Sequence, residues 1–205
     1  DTTLHALYFL REKPKRSLVC YHYSAHPVCY TDDKAGPDWP GIVAEKLRKR
    51  DEMEPAYLQG HAGDVNPGNG KPWLGEPEQV SEAVYTALHH AINHSTLVRF
   101  NDIRLIHSEV KIPLDTAQLK DQLDSYRKDP SKCNQGEWVD AGFAKAWFES
   151  ANKWTLRKGS LSMPMSALRF GEVALLFHGA ELYSYYGLKI RLDSPFPITL
   201  AVGYT

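Results

Sequence analysis

The chain has 205 residues, one domain-sized piece able to bury roughly 70% of its unfolded surface. Its 24 basic and 25 acidic side chains leave a net charge of −1, which argues against a nucleic-acid binder or a protein held to an anionic membrane. With 42% hydrophobic and 24% charged residues the composition is that of a globular protein, no apolar run reaches the ~18 residues that span a bilayer, and the three cysteines (Cys20, Cys29, Cys133) are too scattered for a disulfide framework or a zinc ribbon.

Taken in chain order, Leu4–Leu10 and Ser17–Ala25 are rich in aromatic, leucine and β-branched residues. The charged, proline-bearing segment 11–16 between them predicts two strands joined by a hairpin-like loop. Residues 38–50 read as a helix with Pro40 in its first turn and Asp38 as a cap just outside it. Ala56–Gln59 follows as a short strand, then a loop dense in Gly, Asn, Asp and Pro from Gly60 to Gly75. Val80, Ala83, Val84, Ala87, Leu88 and Ala91 have the spacing of an amphipathic helix. Ile103, Leu105, Val110 and Ile112 predict a strand ending at Pro113, and Leu119, Leu123 and Tyr126 a helix capped by Asp115. After a linker at 128–135, Val139, Phe143, Trp147 and Ala151 recur every four residues as the buried stripe of another helix. Leu161–Arg169 and Val173–Phe177 flank Phe170-Gly171-Glu172 as a tight hairpin. Leu182–Arg191 reads as helical, and Pro197–Val202 as a last strand.

Strands alternate with helices and hairpins are included, so the expected fold class is α/β, a mixed β-sheet flanked by helices. No internal repeat is visible. The chain opens at Asp1 without a leader-like segment and stops straight after an apolar run, so residues 1–205 read as a single α/β domain excerpted from a longer protein.

Most of the nine histidines have a bland reading. His90 and His94 stand at i, i+4, but Ala91 occupies the place where the zinc-protease pattern needs glutamate, and a helix-end cap is the simpler role. His107 suits a cross-strand polar partner beside Arg104 and Glu109, while His5 and His89 have no chemical context. His26 ends a strand and is followed by Pro27, so it is either a structural histidine or a group at the strand-end position that ligands prefer. His61 and Asp64 lie in Gln59-Gly60-His61-Ala62-Gly63-Asp64-Val65-Asn66-Pro67. Gly60 and Gly63 would let that backbone turn tightly and approach a ligand, the alternative being a plain turn loop. Glu181 follows the third strand end, where it reads as a helix cap or a site carboxylate. These three strand ends are expected to share one sheet edge. An imidazole with a carboxylate suits zinc, though two ligands do not make a site.

Several stretches together resemble the neutral/alkaline ceramidase family and its broad bacterial relatives. They are Tyr23-Ser24-Ala25-His26-Pro27, Asp38-Trp39-Pro40-Gly41, Gln59 through Pro67, Leu168 through Leu175, Gly179-Ala180-Glu181, Ser194 through Pro197 and Val202-Gly203-Tyr204-Thr205. They occur in order and leave only about 95–160 unmatched. The resemblance implies a zinc-dependent amidase that cleaves the N-acyl bond of sphingolipids, secreted or periplasmic. It implies His26 and Glu181 as metal ligands, with a further histidine ligand and a catalytic histidine before Asp1, and a tyrosine ligand and a further catalytic tyrosine after Thr205. Two departures are visible: Asn66 stands where the family has an active-site serine, and Gly179-Ala180-Glu181 where it has Pro-Gly-Glu. Asparagine is no nucleophile, but its amide can hydrogen-bond an oxyanion.

The expectation is therefore a zinc-dependent amide hydrolase acting on a small-molecule amide or lipid, without nucleic acid or a transmembrane segment. His26 and Glu181 would hold the metal. Asn66 and the amides around Gly63 would face the oxyanion, Asp64 would brace the loop, His61 would sit at the pocket rim, and Asp38 would support the site from behind. The rival is a binding module that keeps the fold without the chemistry.

Overall fold

The computed structural model describes residues 3–30, 35–68, 74–133, 141–153 and 159–205. Val139 of the expected helical stripe, part of the linker before it and part of the glycine-rich loop lie outside them. The chain divides into two compact units, Asp1–Ser108 with Pro164–Thr205, and Glu109–Met163.

In the first unit β1 (His5–Phe9) and β2 (Leu18–Tyr23) form the expected antiparallel hairpin, Leu7 opposite Cys20. Helix α1 (Asp38–Arg50) then carries the chain over to β3 (Glu54–Gln59), which pairs with β2 in parallel, Tyr21 opposite Tyr57. Trp39, Val43 and Leu47, four residues apart on α1, are all at 0% exposure, and Arg48, Lys49 and Arg50 crowd its last turn, where cations favour the helix dipole. Helix α2 (Pro77–Asn93) adds Val84 and Leu88 to the same core and is tied to α1 by Lys46–Glu82 at 2.6 Å.

β4 (Ile103–Pro113), β5 (Ser160–Phe170), β6 (Val173–His178) and β7 (Ile198–Val202) make a second sheet in that order. β5 and β6 are the expected hairpin, and β7 returns parallel to β6 after a helix of residues Ser184–Asp193. The fold class is thus α/β with mixed sheets, but two of them instead of one. Strand alternation explains the layering. On β2, Val19 and Tyr21 face the helices, whereas Leu7, Phe9 and Leu58 of the first sheet pack with Phe170, Val173, Leu175 and Leu200 of the second.

The two sheets repeat one plan that the sequence hides: an antiparallel hairpin, then a helical crossover to a parallel third strand. His26 is the third residue past the end of β2, at Tyr23, and Glu181 the third past the end of β6, at His178. The two residues occupy equivalent positions.

The second unit holds α3 (Ala117–Lys128), the single turn α4 (Pro130–Cys133) and α5 (Ala141–Ala151), so the helix Ser184–Asp193 is α6. Asp115 is not the cap that the sequence suggests: Thr116 holds that position, and Asp115, one residue earlier, accepts the Ala117 N–H on Oδ1 at 3.0 Å. Tyr126 stacks on Phe148 with centroids 4.6 Å apart. The stripe expected on α5 is not a buried face: Ala151 is enclosed but Phe143 is 71% exposed. Among the described residues no helix is long and apolar enough to cross a membrane.

Candidate functional site

His26 Nε2 lies 2.9 Å from Glu181 Oε1, with the side chains 22% and 52% exposed. The residues that bring them there form tight local networks. The His26 N–H donates to the Val65 carbonyl at 2.9 Å, and its carbonyl accepts from Trp39 Nε1 at 3.1 Å. One residue earlier, the Ala25 carbonyl accepts from Gln59 Nε2 at 3.2 Å, and Gln59 Oε1 accepts from the half-buried Tyr57 hydroxyl at 2.9 Å. The end of β2 is thus bonded to α1, β3 and the loop after β3.

Asp38 supports this from behind. It is 4% exposed and has φ 49, a left-handed conformation unfavourable for aspartate. Both its oxygens are engaged, Oδ1 by the Trp39 N–H at 2.7 Å and Oδ2 by the Tyr30 N–H at 2.9 Å. As the first residue of α1 it clamps the His26–Tyr30 segment to Trp39, inside the helix and not as the cap outside it that the sequence suggests.

On the other side, the Tyr204 hydroxyl donates to the Glu181 carboxylate, and its ring stands edge-on to His26 with centroids 6.2 Å apart. Burial, then the Glu181 charge and that bond, push the Tyr204 phenol up to about 12, so it stays protonated and a donor at neutral pH. Sequence reasoning named Tyr204 only within a matching stretch and gave it no role; its signal was position, two residues beyond the last strand.

The loop after β3 comes to the same place by its backbone, through the Val65–His26 bond. Gly60 and Gly63 serve close approach and not turning, since among the described glycines only Gly75 and Gly171 have positive φ. A Cβ on Gly60 would stand 2.2 Å from Ser24 Oγ, and one on Gly63 2.7 Å from Tyr183 Cδ1. The Gly63 N–H, expected to face an oxyanion, donates instead to the Leu182 carbonyl at 3.1 Å. Asp64 braces the loop against α6: Oδ1 accepts the Ser184 N–H at 2.6 Å and Oδ2 the Ser184 hydroxyl at 3.0 Å. That backbone bond at the helix start, first of all, holds its carboxyl below the usual aspartate value. Asn66 is half-buried, next to Val65.

His61 is only 2% exposed, within the structure and not at a rim. Its Nε2 lies 2.6 Å from Nε2 of His178, itself 1% exposed and overlooked in the sequence as the polar end of an apolar strand. His178 Nδ1 accepts the Ala180 N–H at 3.2 Å. Elsewhere, His107 Nδ1 meets Ser166 Oγ at 2.8 Å across strands, and His94 Nδ1 donates to the His90 carbonyl at 2.8 Å, a local cap in place of a chelate.

His26 and Glu181 suit a zinc ion in kind. Two donor atoms on a tetrahedral zinc with bonds of 2.0–2.1 Å stand about 3.3 Å apart, close to the separation observed. They do not suffice in number: among the described residues no group of three or more His, Cys, Asp or Glu is placed to hold a metal.

No family model and no curated protein sequence matches the chain. Solved structures do. The neutral ceramidase from Pseudomonas aeruginosa superposes with a TM-score of 0.57 at 13% identity, over 91% of this chain and 37% of that one. A ceramidase complexed with C2 gives 0.54 at 13%, over 91% and 38%. The chain therefore spans less than two fifths of the ceramidases it matches, and over that span it has a ceramidase-like fold.

Proposed function

We propose that this chain forms part of the catalytic core of a zinc-dependent amide hydrolase, with His26 and Glu181 among the metal ligands. The substrate class is an N-acyl amide of a small molecule or lipid, sphingolipids included. The observation that carries this reading is the meeting of His26 and Glu181 at 2.9 Å from equivalent ends of two sheets, on a fold shared with ceramidases. Zinc held there would lower the pKa of a bound water toward ~7 and polarise the scissile carbonyl. The chain's own residues do the rest. Tyr204 holds and orients Glu181, while Asp38 and Trp39 fix the backbone that presents His26. Asp64 fixes the loop that carries Asn66, whose amide would donate to the substrate oxygen. Zinc sites use three or four protein ligands, so the remaining ones would come from residues beyond those described.

A binding protein on the same fold is the second reading. What favours it is the contact itself, in which imidazole and carboxylate satisfy each other without a metal. The test is release of free fatty acid from N-acyl substrates by the full-length protein, before and after chelation and zinc return. Zinc-restored hydrolysis lost in His26→Ala supports the enzyme; binding of the same amides without hydrolysis supports the second reading.

A further inference from the structure

We propose that His61 and His178 are positioning residues for Glu181: a hydrogen-bond chain of fixed polarity runs from the Ala180 amide through both imidazoles to one bound water, and holds the turn that presents the carboxylate. This rests on Glu181 being a site residue, as proposed above.

The polarity follows from the partners. His178 Nδ1 accepts from the Ala180 N–H, so a neutral ring carries its proton on Nε2. That proton is the one shared across the 2.6 Å contact, so His61 Nε2 accepts and His61 is protonated on Nδ1. Burial keeps both rings below the usual histidine pKa, His61 at about 4, which is the neutral state the chain needs. The far end is left open: His61 Nδ1 is buried without a partner. It belongs to a ring lining a cavity of about 10 Å³, with His22, Ser24 and Gly187 among the walls. His22 Nε2 donates to the Ala201 carbonyl at 2.8 Å, so His22 Nδ1 is an acceptor, and it too is buried without a partner. One donor and one acceptor beside a space of one water's size match a single water. Gly187 keeps that space, since a Cβ there would stand 3.0 Å from His61 Nδ1. The chain starts at Ala180, the residue before Glu181, which is exposed and bonded through its tip.

The test uses the full-length protein. Imidazole ¹⁵N spectra should show Nε2–H for His178 and His22 and Nδ1–H for His61; an Nδ1–H His178 overturns the proposal. His61→Gln keeps an acceptor for His178, whereas His61→Leu strands its N–H. The Ala180 amide exchange and the Glu181 carboxyl ¹³C signal should move in His61→Leu and stay near the parent in His61→Gln. Zinc affinity, by competition with a chromophoric chelator, should fall about 10–100-fold in the leucine variant alone. If the leucine variant does not fold, His178→Gln serves, since its terminal amide reaches His61 but leaves no acceptor at the Nδ1 position beside Ala180 and should expose that N–H. A parent that holds no zinc sinks the reading of the site, while the metal-free signals still decide the positioning role. Parent-like signals in His61→Leu or in His178→Gln, or equal damage from leucine and glutamine at 61, overturn it.

Discussion

Replacing Gly60 by alanine tests whether the loop after β3 is held by close packing, as its geometry indicates. The new Cβ would stand 2.2 Å from Ser24 Oγ and 3.0 Å from Cε1 and Nε2 of His22, where ordinary contact begins at 3.4 Å. Ser24 can rotate its hydroxyl away. The His22 ring cannot move as freely, because Nε2 is bonded to the Ala201 carbonyl at 2.8 Å. Overpacking of this kind costs about 1–3 kcal/mol, and since Gly60 lacks a positive φ, the stiffer unfolded chain returns ~0.4–1 kcal/mol. The net expectation is a loss of about 1–2 kcal/mol, or roughly 0.5–1 M in urea midpoint for a slope near ~2 kcal/mol/M. Unfolding is best followed on the indole N–H of Trp39, whose bond to the His26 carbonyl reports on the first unit alone. Ser24→Ala in the same background should recover part of the loss. A Gly60→Ala protein as stable as the parent, with no coupling to Ser24, would refute the reasoning.

Acid should weaken the fold through its buried histidines. His61 and His5 are pushed down to about 4, by burial first and then by His178 and by Arg191 respectively, while the unfolded value is 6.5. The unfolded chain takes up protons first, so this stability is full above about pH 6.5 and is lost as the pH falls toward 4. For the nearly solvent-free His61 the loss is on the order of 2–3 kcal/mol; urea midpoints that do not change from pH 7 to 4.5 would contradict it. Asp64→Ala should cost about 1 kcal/mol and speed exchange of the Ser184 amide, with Asp64→Asn recovering part of both. Trp39→Phe keeps a ring in the core but removes the donor to the His26 carbonyl, for a loss of about 1–2 kcal/mol and a shifted His26 imidazole signal.

Local patterns made most of the fold legible. Pro40 in a first turn beside Asp38 marked out α1, and the apolar runs around Gly171 marked the β5–β6 hairpin within a residue or two. The number of sheets was not legible, because strand partners far apart in sequence are chosen by packing: β7 takes β6, and β3 takes β2. The α5 stripe failed for a related reason, since periodicity shows that a face is apolar but does not supply a surface to cover Phe143. At the candidate site, His26 and Glu181 stood out as polar residues just past strand ends. His178 and Tyr204 did not, because their importance lies in contacts across 117 residues, to His61, and back to Glu181. Gly60 and Gly63 were visible as special, but the reason for them was room and not torsion.

The central claim is that His26 and Glu181 share one metal ion. Zinc content of the full-length protein after exhaustive dialysis, measured for the parent, His26→Ala and Glu181→Ala, tests it most directly. About one zinc per chain is expected in the parent, with most of it lost in each variant, because losing either donor leaves a tetrahedral ion short of protein ligands. Unchanged zinc in His26→Ala or Glu181→Ala, or none in the parent, would contradict the account.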